Sequence, residues 1–256
     1  MLVLLERFLV YPAPPAHEGE WNAAVLNVEE AWFEAEDGTV LHGFYAHHPD
    51  PKAHILYCHG NGEHMGYLGN RLAERSRALQ ASIFAFDYRG YGKSEGTPHE
   101  AGLLMDGEAA ASWLAQRAGV RRSELVLHGC SLGGAIAVHL AATQDARALV
   151  VERTFHSMVD IGAQQYPWAP VRWLMRNRYP SASRINAYAG PMLQFHGEAD
   201  TLVPIESARI LFEACPSPTK QFISTPGIGH NDAAPREFRE ALMNLIGELP
   251  PIASQG

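Results

Sequence analysis

Gly129-Cys130-Ser131-Leu132-Gly133 sets a serine between an apolar run, Leu125 to His128, and a helical pattern that opens at Leu132. This is the G-x-S-x-G spacing in a strand, turn, helix setting, where the serine sits on a strained turn at the end of its strand. Side chains two residues before or after it would collide there, so both positions need to be small. In a chain with 23 glycines the pattern could arise by chance, but its place between strand and helix argues against that. A serine hydroxyl is a poor nucleophile at neutral pH: a base must take its proton, and a carboxylate must hold that base in the right tautomer. Asp200 lies 69 residues downstream, in His196-Gly197-Glu198-Ala199-Asp200, and His230 lies 30 residues further, in Gly227-Ile228-Gly229-His230. Serine, acid, histidine is one of the chain orders such triads take. Asp200 is preferred to Glu198, which is only three residues past the apolar run ending at Phe195. Asp160 sits in a different segment, and Asp232 follows the histidine.

Acyl chemistry at Ser131 would put negative charge on an oxygen, which needs preorganised donors. The backbone N–H of Leu132, directly after the serine and at a helix amino terminus, is one candidate. The second is expected in His59-Gly60-Asn61-Gly62, the glycine-rich turn after the run Ile55 to Cys58. Asn61 is the preferred residue, through its backbone, with Gly62 as its neighbouring alternative and a plain strand-to-helix turn as the bland one. Other patterns fail. Gly90-Tyr91-Gly92-Lys93-Ser94 ends like a phosphate-binding loop, but Asp87 stands where its first glycine is required. No G-x-G-x-x-G opens a helix. His47, His48, His54, His59 and His64 match no zinc spacing, so no metal and no cofactor are expected. Asp87, Arg89 and Asp106 are read as hydrogen-bonding supports.

The elements that must carry these residues alternate. Val28 to Glu34 and Val40 to His47, split by Asp37-Gly38, read as a hairpin. Continuous apolar runs follow at Ile55 to Cys58, Ile83 to Tyr88, Leu125 to His128, Ala148 to Val151, Met192 to Phe195 and Gln221 to Ser224, as in strands buried on both faces. Helical spacing of apolar residues fills the intervals 66–79, 101–117, 132–142, 206–214 and 235–247. The result is a mostly parallel, eight-stranded sheet covered by helices, one domain over 1–256. Asp200 and His230 each follow a strand of this sheet, so both share the carboxyl-end rim with Ser131.

Composition agrees: 46% hydrophobic and 19% charged residues describe a globular chain with a sizeable core. A net charge of −8 argues against a nucleic-acid partner, since phosphate binding needs a basic footprint. Three widely spaced cysteines suit neither a disulfide framework nor a zinc site and read as reduced thiols. The apolar stretch after Met1 is broken by Glu6 and Arg7, too short for a signal peptide core or a spanning helix. A cytoplasmic location is therefore expected.

His59-Gly60-Asn61, Phe86-Asp87-Tyr88-Arg89-Gly90-Tyr91-Gly92, Gly129 to Gly134, His196-Gly197 with Asp200, and Gly229-His230-Asn231-Asp232 together resemble the α/β-hydrolase superfamily over nearly the whole chain. The likeness is to its serine-hydrolase branch of acyl-protein thioesterases and lipase-like or aminopeptidase-like hydrolases. The resemblance implies a Ser131, Asp200, His230 triad with donors from Asn61 and Leu132. Relatives often carry an amino-terminal membrane anchor, which this sequence lacks, and Met1 to Tyr11 could begin where such an anchor would end.

The expected activity is hydrolysis of small-molecule carboxylic esters of small or medium acyl groups through an acyl-enzyme. Thioesterase or amidase chemistry with the same triad is the alternative, and a non-catalytic ligand-binding protein of the same fold is less favoured. Glu152 to Gly190 departs from the strand–helix rhythm and is expected to form a lid insertion, about 152–190, over the site. Its aromatic residues Phe155, Trp168 and Trp173 are the candidate substrate contacts. Its five arginines against two acids are read as a solvated face, with attraction of anionic substrates or a membrane surface as the other reading. Oligomeric state is left open.

Overall fold

The computed structural model describes residues 2–252. In chain order the elements are α1 (Leu2–Val10), α2 (Ala23–Leu26), β1 (Glu29–Glu34), β2 (Val40–Ala46), β3 (Ala53–Cys58), α3 (Met65–Leu79), β4 (Ala81–Phe86) and α4 (Glu100–Ala118). There follow β5 (Val126–Cys130), α5 (Leu132–Gln144), β6 (Ala148–Glu152), α6 (Met158–Gln165), α7 (Val171–Leu174), α8 (Ser181–Ile185), β7 (Met192–Gly197), α9 (Ile205–Ala214), β8 (Lys220–Thr225) and α10 (Arg236–Glu248).

Hydrophobic pattern decides where each strand lies. β3 to β7 are buried at every residue and occupy the middle, whereas β1 and β8 are only partly buried and form the edges. The order is β1-β2-β4-β3-β5-β6-β7-β8, antiparallel for β1–β2 and β2–β4 and parallel thereafter. The β1–β2 hairpin closes where expected: Gly38 takes a φ of 81°, open to glycine, and donates to the Ala35 carbonyl at 2.9 Å. Alternate residues of the central strands serve opposite faces. Leu56, Phe84 and Leu127 join the core with α4 and α5, and Ile55, Ile83 and Val126 join the core with α3 and α10. Each such side chain, fully buried, contributes roughly 1.5–3 kcal/mol of transfer free energy.

Topology then places the site. From β3 the chain crosses through α3 to β4 on one side, while β5 pairs with the other edge of β3. Loops leaving β3 and β5 diverge, and the crevice this opens at the carboxyl ends is where open α/β sheets bind ligands.

Hydrogen bonds and ion pairs of Asp87 and Arg89 brace that end. Asp87 accepts the Met65 N–H at the start of α3 at 2.8 Å and meets His42 Nδ1 at 2.9 Å. Arg89 forks onto Asp106 of α4 and reaches Asp37 in the hairpin turn at 2.7 Å. These are supports, as their positions suggested.

The excursion between β6 and β7 holds α6, α7 and α8 and packs away from the crevice. Its Phe155, Ile161, Tyr179 and Ile185 join the core on the α4–α5 face. α1, which periodicity did not mark as a helix, lies against it: the Tyr11 and Tyr179 hydroxyls meet at 2.8 Å. Among the described residues, no helix is long and apolar enough to cross a membrane.

Candidate active site

Ser131 caps α5 with a φ of 52° and ψ of −116°, a strained conformation for a residue with a side chain. Its neighbours permit it. A Cβ on Gly129 would lie 2.2 Å from the Gly133 carbonyl oxygen, and one on Gly133 would lie 2.0 Å from that of Cys58, so backbone approaches backbone at both positions. Ser131 N–H donates to the Glu152 carbonyl at 2.8 Å, and Thr154 Oγ1 donates to the Ser131 carbonyl at 2.7 Å. The turn is thus pinned to the end of β6.

The three residues separated in sequence converge. His230 Nε2 stands 3.1 Å from Ser131 Oγ, and His230 Nδ1 donates to Asp200 Oδ2 at 2.6 Å. Asp200 is buried, and its Oδ1 accepts the N–H groups of Leu202 and Val203 at 2.9 and 2.8 Å. Burial alone would raise this carboxyl, but the bonds from His230 and Val203 outweigh it and hold Asp200 below the usual carboxylate range. His196, 3.4 Å from Asp200, donates instead to the Val203 carbonyl at 2.7 Å, and burial pushes its imidazole below its ordinary range. Glu198 is exposed and accepts from Ser224 Oγ, Asp232 accepts the Gly229 N–H, and Asp160 pairs with His156 and Arg172. Of the acids weighed, only Asp200 bonds His230.

The loop after β3 is fixed on both flanks. Gly60 N–H donates to Glu63 Oε2 at 2.9 Å, and the Asn61 amide is spent on Val10 O and the Tyr91 hydroxyl, each at 2.7 Å. Leu132 is the first residue of α5, where backbone N–H groups have no intrahelical partner. Asn61, Gly62, Ser131 and His230 all border one cavity of about 1170 Å³, which runs between α3 and α10 past Leu68 and Phe238.

The aromatic contacts expected from the insertion are corrected here. Phe155 is buried in the core near Tyr179, and Trp168 and Trp173 point outward, 82% and 90% exposed. Apart from Glu152 and Arg153 at its start, no described residue of the insertion lines the cavity, because the buried residues of its helices pack on the other face of the sheet. Its helices contribute no lining residue to this cavity.

Sequence reasoning missed a charged tract in the wall. Arg153, at a φ of 49°, donates from Nη1 to the carbonyls of His230 and Asp232 and from Nη2 to Glu152 Oε2. Glu152 Oε1 takes His128 Nε2 at 2.7 Å. Burial would raise the Glu152 carboxyl; His128 and Arg153 reverse this and lower it to about 2. The available signal was an acid closing the apolar run Ala148 to Val151 on the rim that carries the other site residues. Among the described residues, no group of three or more His, Cys, Asp or Glu side chains converges to hold a metal ion.

The chain is similar to several known proteins. The chain is 38% identical to the uncharacterized protein Rv2307c of Mycobacterium tuberculosis over 201 residues, 78% of this chain and 71% of that one. It is 33% identical to the uncharacterized protein YfhR of Escherichia coli (strain K12) over 256 residues, 93% of this chain and 86% of that one. Among solved structures, the Pyrococcus furiosus esterase Pf2001 superposes with a TM-score of 0.74 at 19% identity, covering 93% of this chain and 97% of that one. A family model described as Hydrolase_4, serine aminopeptidase, S33, matches residues 49–185, a span that holds Ser131 and ends before Asp200 and His230. The chain belongs to that hydrolase family, within the α/β-hydrolase superfamily.

Proposed function

We propose that the protein is a serine hydrolase that cleaves carboxylic esters through an acyl-enzyme. The observation that carries this reading is His230 standing between Ser131 Oγ at 3.1 Å and Asp200 Oδ2 at 2.6 Å. With Nδ1–H given to Asp200, Nε2 is free to accept the Ser131 proton as Oγ attacks the ester carbonyl. The oxyanion that forms is met by the backbone N–H groups of Leu132 and Asn61. Collapse breaks the bond to the alkoxy group, which leaves as the alcohol with the proton carried by His230. Water then gives a proton to His230 and attacks the acyl carbon, and the acid leaves as Ser131 Oγ recovers its proton. Asp200 remains ionised throughout and stabilises the imidazolium.

A cavity of about 1170 Å³ exceeds the roughly 300–1,000 Å³ of ordinary ligand sites, which gives room for medium acyl groups. The decisive variant is Ser131→Ala, which should abolish hydrolysis of p-nitrophenyl acetate and butyrate and labelling by a fluorophosphonate probe while thermal unfolding is unchanged. Retained turnover overturns the assignment. Matched ester, thioester and amide substrates then rank the bond cleaved, with the ester expected to be fastest.

A further inference from the structure

Between Ser131 and its apolar far end, the cavity passes a guanidinium that no carboxylate holds. Arg71 and Arg75 of α3, Tyr57 of β3 and His128 of β5 line this middle part, and Ile55, Leu79 and Ile83 line the part beyond it. Residues four apart on a helix share a face, so Arg71 and Arg75 stand one above the other, Arg71 exposed and nearer the start of the helix, Arg75 half-buried. The Arg75 guanidinium lies over the Tyr57 ring at 5.1 Å, and the Tyr57 and His128 rings are 5.1 Å apart. Tyr57 is in register with His128, three residues before Ser131, so the ring under Arg75 lies roughly 10 Å down the sheet from the nucleophile at about 3.3 Å per residue.

Charge identifies what this part of the cavity takes. Of the acids in the wall, Glu152 is bonded to His128 and Arg153, Glu63 to the Gly60 N–H and Asp232 to the Gly229 N–H, and Glu74 is exposed. Among the described residues, neither Arg71 nor Arg75 forms an ion pair with any of them. Burial opposes the charge of Arg75, but Tyr57 and Glu152 outweigh it and raise the guanidinium above its ordinary range, so it stays ionised. An alkyl chain laid past Arg75 would strip water from a cation and offer it no acceptor, which costs free energy. A carboxylate in the same place accepts from the planar fork of N–H groups. Glu152, close enough to act on Arg75, favours a single negative charge over the dianion of a phosphate monoester.

We propose that Arg75 selects esters whose acyl chain ends in a carboxylate, with the ester carbonyl at Ser131 and the distal carboxylate on the guanidinium above Tyr57. The inference rests on the hydrolase reading and names its substrate class, hemiesters of medium-chain dicarboxylic acids. The leaving alcohol takes its proton from His230, whose loop lies at the rim, so the deeper part of the cavity is left to the acyl chain. Ser131 Oγ forms the new ester bond as the alcohol leaves, and water then breaks it to release the dicarboxylic acid. The distal carboxylate takes no part in either bond change.

Release of p-nitrophenol from the mono-p-nitrophenyl esters of adipic and suberic acid, compared with the same esters methyl-capped at the distal carboxyl, tests it. For at least one chain length the full chain should favour the anionic ester in kcat/KM by about tenfold or more, chiefly through KM. Arg75→Met should lower that ratio by about tenfold or more, and Arg75→Lys, which keeps the charge without the fork, should lower it less. Each ratio is taken within one protein, so a general loss of turnover does not enter it. Thermal unfolding checks that Arg75→Met folds, and Arg75→Lys carries the test if it does not. The proposal is overturned if the parent shows no preference for the anionic ester at either length, or if neither variant lowers the ratio. Calorimetric titration with suberate reads the same contact without turnover: the parent should bind it about tenfold or more tightly than Arg75→Met. Suberate binding that Arg75→Met leaves unweakened also overturns the proposal. If no ester is turned over while suberate binding depends on Arg75, the hydrolase reading fails and the carboxylate site stands.

Discussion

Arg153 holds the loop of His230 from across the rim, donating Nη1 to the His230 carbonyl at 3.1 Å and to the Asp232 carbonyl at 2.6 Å. The loop that carries the imidazole is therefore held by a side chain outside the Ser131–His230–Asp200 chain of hydrogen bonds. The same guanidinium faces Glu152 Oε2 at 3.2 Å, which ties the loop after β8 to the strand end that also receives the Ser131 N–H.

Removing this link should cost turnover more than binding. Displacing a reacting group by about 1 Å can lower a rate by about a hundredfold. Arg153→Met is expected to reduce kcat by roughly tenfold to a hundredfold with KM nearly unchanged, and Arg153→Lys, which keeps one donor, should recover part of the loss. Steady-state kinetics on a short p-nitrophenyl ester reads this; a change confined to KM would place Arg153 against substrate instead.

Ser131 was legible because a glycine-flanked serine between an apolar run and a helical pattern leaves the chain only one local geometry. Asp200 and His230 followed from their places just beyond two apolar runs, since parallel strands put all their carboxyl ends on one rim. Arg153 was not, because a lone arginine after a strand looks like the other arginines of the insertion until the His230 carbonyl is seen beside it. The aromatic residues misled for a related reason. Composition marks Phe155, Trp168 and Trp173 as large and apolar but does not say which face of the sheet their segment packs on. The cavity itself joins α3 to α10, elements far apart in sequence, and no local pattern announces a gap between two helices.

Glu152 should leave a mark on acid stability. Its folded-state carboxyl lies at about 2, against an ordinary value near 4.5, so the folded protein binds fewer protons there than the unfolded chain. That stabilisation, on the order of 3 kcal/mol, is complete above about pH 5 and is lost as pH falls toward about 2. Glu152→Gln is expected to be less stable at pH 7 by a similar amount, and the gap between the two proteins should close across that window. Urea unfolding followed from pH 7 to pH 2 measures it; a gap that stays constant would mean that the charge of Glu152 is not what the fold uses.

Asn61 offers a cycle that separates its backbone from its side chain. Its amide is committed to Val10 O and to the Tyr91 hydroxyl at 2.7 Å, so the oxyanion donor proposed at this residue is its backbone N–H. Tyr91→Phe strips one anchor and leaves a polar oxygen of Asn61 unpaired, at a cost of about 1–3 kcal/mol in stability. Asn61→Ala strips both anchors and keeps the backbone donor, so each variant should lower kcat by only about tenfold, short of the hundredfold to thousandfold expected when an oxyanion donor is lost outright. Because the two residues act through one contact, the double variant should be no slower than Asn61→Ala alone. A loss of about a thousandfold in Asn61→Ala, with Tyr91→Phe unaffected, would instead make the amide itself the donor.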